Sequence, residues 1–108
     1  MQEERLKILF QYLEEEPNEP FNVYAIAMEY INKDIEKAKF YLEKLLTEHP
    51  DYVPTYYHAA AVYVELEDYI NAEHTYKLGI EKAHQQQSTK AFDELKRAYR
   101  MLLDEMEN

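Results

Sequence analysis

A single glycine, Gly79, serves a chain of 108 residues. Sheet-rich proteins need frequent tight turns, and those turns need backbone at positive φ, which glycine adopts with least strain. A chain with almost no glycine is therefore expected to be helical. Its apolar residues agree, recurring at steps of three and four. Leu6, Leu9, Phe10 and Leu13 form one such series. Val23, Ile26, Ala27 and Tyr30 form a second, and Ala38, Tyr41, Leu42 and Leu45 a third. This is the period of an amphipathic helix with one buried face.

Punctuation divides the pattern. Pro17 and Pro20 separate the first two series, and Pro50 and Pro54 flank a later break. Proline suits the first turn of a helix or the chain just beyond its end. Asp34 and Asp68 each precede a fresh apolar series, where a carboxylate caps free backbone N–H groups and complements the helix dipole. Gln85-Gln86-Gln87-Ser88-Thr89 is a polar connection with Ser88 or Thr89 as cap. Six helices are expected, over 3–15, 20–32, 34–48, 54–66, 69–84 and 89–106. Glu14-Glu15-Glu16 sits at the negative end of the first dipole, so that end is expected to fray.

The chain also repeats itself. A shift of 34 residues lays Asp34 on Asp68 and Ala38 on Ala72. A shift of 33 lays Tyr24 on Tyr57, Ala27 on Ala60 and Tyr30 on Tyr63. The turn Asn32-Lys33-Asp34 is one residue shorter than its counterpart, which reconciles the two shifts. It leaves Pro20 and Phe21 as alternative counterparts of Pro54. The second unit carries Tyr56, the small pair Ala59-Ala60, Tyr63, Asp68-Tyr69, Ala72, Tyr76 and Gly79. This order of aromatic, small pair, tyrosine, then alanine and aromatic resembles the tetratricopeptide repeat, a helical hairpin of about 34 residues. The first unit is similar through Val23, Ile26-Ala27, Tyr30, Asp34, Ala38, Leu42 and Pro50, without the leading aromatic. Phe92, Leu95 and Tyr99 match part of a further first helix, with Lys96 at the small position.

The resemblance implies an all-α, right-handed array of helical hairpins, a tetratricopeptide-like α-solenoid of about six helices. One domain over 1–108 is expected by length. It comprises an N-terminal flanking helix (1–19), repeat 1 (20–52), repeat 2 (53–86) and a C-terminal capping helix (87–108). The resemblance further implies a protein-interaction module whose first helices line a concave groove for a peptide or protein segment. Carried over by position, the groove residues are Phe21, Tyr24, Met28 and Ile31, then Tyr57, Ala61 and Val64. Arg97 and Arg100, beside Asp93, give it a basic edge able to receive a carboxylate. Chaperone-binding members of the family clamp a C-terminal carboxylate with Lys and Asn. Here Tyr24, Met28, Tyr57 and Ala61 stand in those places, against that partner class.

Composition excludes several other functions. Twenty-two acids against 12 Lys and Arg give a net charge of −10. Nucleic acid and anionic membrane surfaces are therefore unfavourable partners. No apolar run is long enough to span a membrane, and MQEERLKILF carries no leader pattern, so a cytoplasmic location is expected. No cysteine is present, and His49, His58, His74 and His84 are scattered. Neither a metal site nor any cofactor is expected, and no catalytic constellation emerges, so the chain is not expected to be an enzyme. The alternative to a peptide-binding module is a self-assembling scaffold, a homo-oligomer joined through its terminal helices at Leu6, Phe10, Leu102, Leu103 and Met106.

Overall fold

The computed structural model describes residues 2–107. Six helices occupy them: α1 (Gln2–Glu15), α2 (Pro20–Tyr30), α3 (Ile35–Glu48), α4 (Pro54–Glu65), α5 (Tyr69–Gln85) and α6 (Thr89–Glu107). There is no strand among the described residues. Every helix end falls within two residues of its expected place. Pro20 and Pro54 each take the first helical position. Asp34 Oδ1 accepts from the Lys37 N–H at 3.1 Å, and Asp68 Oδ1 from the Asn71 N–H at 3.3 Å, so both aspartates cap as the sequence implies.

The turns explain the change of repeat shift. In the first, the Asp34 N–H donates to the Tyr30 carbonyl at 2.8 Å, four residues back. In the second, the Asp68 N–H donates to the Tyr63 carbonyl at 2.8 Å, five residues back. The additional residue is Glu67, which closes the turn at φ 60°. Gln87 does the same at φ 57°, with the Ser88 N–H donating to Ala83 at 2.9 Å. Both are left-handed helix endings, the conformation glycine normally supplies. Gly79, the chain's one glycine, lies within α5.

The chain divides after Tyr52 into two compact units, α1–α3 and α4–α6. In the first, α2 packs against both α1 and α3. Its core is Val23, Ile26 and Ala27 of α2 with Ala38, Leu42 and Leu45 of α3. Tyr41 gathers rings from all three helices: it stacks on Tyr30 at 5.9 Å and meets Phe10 edge-on at 6.1 Å. Arg5 donates to Glu29 at 3.0 Å, and that bond holds the Glu29 carboxyl below its ordinary range. The end of α1 is better held than its acids suggest. Asn22 Nδ2 donates to the Tyr12 carbonyl at 3.2 Å and to that of Glu16 at 3.1 Å, a second hydrogen bond for each of these carbonyls, which also accept from the Glu16 and Glu19 N–H groups.

In the second unit, α5 lies against α4 and α6, which also touch each other. Tyr56, Tyr63, Ala72, Tyr76, Ala83, Leu95 and Leu102 are buried. At Gly79, α5 comes close to Tyr56 of α4 and Leu95 of α6. A Cβ placed there would stand 2.5 Å from the Tyr56 Cβ and 3.3 Å from the Leu95 Cδ1. Thr55 is wholly buried, and its hydroxyl has no hydrogen-bond partner among the described residues.

Candidate functional site

The candidate surface begins on α2. Val23, Ile26 and Ala27 turn inward, so helical geometry turns Phe21, Tyr24, Met28 and Ile31 toward the other side. Phe21 is 57% exposed, and the other three are half-buried. The Glu19 carboxylate accepts from the Phe21 N–H at 3.2 Å and fixes the start of the helix. Phe21 and Tyr24 lie ring to ring at 6.4 Å, and Tyr24 meets Tyr52 edge-on at 5.8 Å. Burial pushes both tyrosine hydroxyls above their ordinary value, so they stay neutral donors at physiological pH. An open depression lined by Pro20, His49, Pro50 and Tyr52 adjoins this cluster. Tyr52 is the residue that sequence reasoning missed. It lies between α3 and α4, where helical periodicity assigns no face.

The second unit offers its own stretch. On α4, Tyr56, Ala59, Ala60 and Tyr63 are buried, while Ala61 is exposed and Val64 half-buried. Tyr57 is 42% exposed and rests edge-on to the His58 ring at 5.4 Å. On α6, Asp93, Arg97 and Arg100 are exposed, and among the described residues neither arginine takes part in an ion pair. Each unit thus presents aromatic or apolar side chains from its first full-length hairpin helix, α2 or α4. The second adds unneutralised guanidinium groups. Such a surface suits an amphipathic or extended segment with apolar anchors and a carboxylate.

The remaining titratable groups build nothing comparable. His58 is half-buried, and desolvation lowers its pKa, whereas His74 is exposed. No group of three or more His, Cys, Asp or Glu among the described residues is placed to hold a metal ion. No described helix is long and apolar enough to cross a membrane.

No protein-family model and no curated protein matches the chain. Solved structures do. The solution NMR structure of a tetratricopeptide repeat domain protein from Salinibacter ruber superposes with a TM-score of 0.76 at 36% identity, covering 81% of this chain and 89% of that one. The chain belongs to the tetratricopeptide repeat family. A crystal structure of a tetratricopeptide repeat domain protein from the same organism gives TM-score 0.76 and 36% identity, over 80% of this chain and 97% of that one. Tetratricopeptide repeat membership supports a protein-interaction module in general, on a fold that is generally non-catalytic. The tetratricopeptide frame also gives the small residues their reason: Ala27, Ala38, Ala60 and Ala72 are wholly buried, where small side chains let helix axes approach.

Proposed function

We propose that this tetratricopeptide repeat protein binds a peptide or protein segment through the accessible faces of its hairpin first helices. Phe21, Tyr24, Met28 and Ile31 supply one stretch, and Tyr57, Ala61 and Val64 another. Arg97 and Arg100 receive a carboxylate of the partner. The observation that carries this reading is the separation of faces along α2 and α4. At repeat-equivalent positions one face is core, while the other keeps aromatic side chains accessible to solvent. Tyrosine is a favourable anchor because it offers large contact area with few rotatable bonds. Tyr52 joins the proposed surface through its contact with Tyr24. The role needs neither catalysis nor a cofactor, and a cytoplasmic setting is consistent with it.

The test is affinity capture from the source cell's lysate by wild type and by Tyr24→Ala/Tyr57→Ala, with circular dichroism confirming that both are folded. Partners held by wild type and lost by the variant are the expected result. The same partners held equally by both would move the site to another face.

A further inference from the structure

The outer face of α6 has a second character that the peptide-binding reading does not use. Phe92, Tyr99 and Leu103 recur along it at steps of seven and four, and Ile80 of α5 joins them in one open cleft. The same cleft is lined by Lys96, Arg100, Asp104 and Glu107. These four charges are ordered along the helix, the bases Lys96 and Arg100 preceding the acids Asp104 and Glu107. None of the four takes part in an ion pair among the described residues. Elsewhere the helices do pair their charges four residues apart, at Glu29–Lys33, Lys44–Glu48 and Glu73–Lys77. Lys96 instead lies over the Phe92 ring at 5.0 Å. Tyr99 is fixed from behind, its hydroxyl donating to Glu73 at 2.6 Å.

We propose that this face binds a second copy of the same chain, α6 against α6 in antiparallel register about a two-fold axis. The charge order selects that occupant. With the axis crossing near Leu102, Lys96 faces the partner subunit's Glu107, and Arg100 faces the partner subunit's Asp104. The two-fold repeats both pairs, so four charge pairs run along an apolar strip of Tyr99 and Leu103. Antiparallel helices bring the same flank of each together, as an isologous contact requires. A parallel pairing would set Lys96 beside Lys96 and Glu107 beside Glu107, which repel. The buried Leu102 takes no part, and Phe10 of α1 is committed to Tyr41. Self-association therefore uses a narrower surface than the terminal helices as a whole. Arg100 belongs to this face and to the proposed peptide surface, so the two readings are separated by measuring self-association with no peptide present.

The test is a charge swap read by sedimentation. An acidic variant carries Lys96→Glu/Arg100→Glu, and a basic variant carries Asp104→Lys/Glu107→Lys. Wild type is expected to dimerise with rising concentration. Each variant alone should dimerise at least about tenfold more weakly, and an equimolar mixture should form a heterodimer. Both variants remain acidic overall, so net attraction cannot produce that heterodimer. A wild type that stays monomeric at millimolar concentration overturns the proposal. So do variants that dimerise as wild type does, or a mixture that fails to associate. Should a charge variant fold poorly, cysteine cross-linking decides, because the chain has no native cysteine. Leu103→Cys should cross-link to itself on mild oxidation, and Ile8→Cys, exposed on α1, should not. Equal cross-linking of the two, or none at 103, counts against the pairing.

Discussion

Replacing Gly79 by alanine sets two physical effects against each other. Helix propensity favours the substitution, because glycine within a helix costs about 1 kcal/mol relative to alanine. Packing opposes it. The new methyl would stand 2.5 Å from the Tyr56 Cβ and 3.0 Å from its Cγ. A Cβ moves only with its backbone, and Tyr56 is wholly buried, so no rotamer change relieves the overlap. α4 and α5 must separate by roughly 1 Å to restore contact near the usual carbon–carbon distance. Overpacking of that kind costs about 1–3 kcal/mol, and the separation loosens the contact with Leu95 as well. The net expectation is a loss of about 0–2 kcal/mol, with a fall in melting temperature of about 4–8 °C for each kcal/mol lost. Urea titration followed by circular dichroism at matched m-values measures it. A Gly79→Ala variant stabilised by about 1 kcal/mol would refute the reasoning, since propensity alone would then govern the site.

Three further outcomes follow from single observations. Thr55→Val removes a buried hydroxyl without a partner among the described residues and keeps the side-chain shape, so it should raise stability by about 1 kcal/mol in the same titration. Glu67→Gly and Gln87→Gly each relieve a positive φ and should stabilise by about 0.5–1 kcal/mol, reduced from the full strain by the greater freedom of glycine in the unfolded chain. His58 is depressed below its ordinary 6.5 in the folded state, so the unfolded chain takes up its proton first. Its contribution is complete above pH 6.5 and is lost as pH falls through the lower folded value. His58→Gln should flatten the acid limb of a stability–pH curve, and an unchanged limb would contradict that assignment.

The helices were legible because their signals are local. Proline at the first helical position, aspartate caps and three-four periodicity each act within one turn, and all reappear at Pro20, Pro54, Asp34 and Asp68. The left-handed endings at Glu67 and Gln87 were hidden, because neither residue type advertises positive φ and the one glycine sits elsewhere. The clamp of Asn22 on the end of α1 was hidden too. It joins residues ten apart across a bend, and no sequence period reports that. The same limit applies to the candidate surface. Tyr24 and Tyr57 are found by repeat spacing, whereas Tyr52 reaches Tyr24 only through the path of the connection after α3. The self-complementary order of charge on α6 was readable in principle. It gains meaning only once Phe92, Lys96, Tyr99, Arg100, Leu103, Asp104 and Glu107 are seen to line one open cleft.

The central claim is that the accessible tyrosine-bearing faces of α2 and α4 are the binding surface. The most direct measurement selects peptides from a random display library against wild type, then titrates each selected peptide into wild type and Tyr24→Ala/Tyr57→Ala by calorimetry. The account predicts peptides with apolar anchors and a carboxylate, bound at least about tenfold more weakly by the folded variant. Selected peptides that bind both proteins with equal affinity would contradict it.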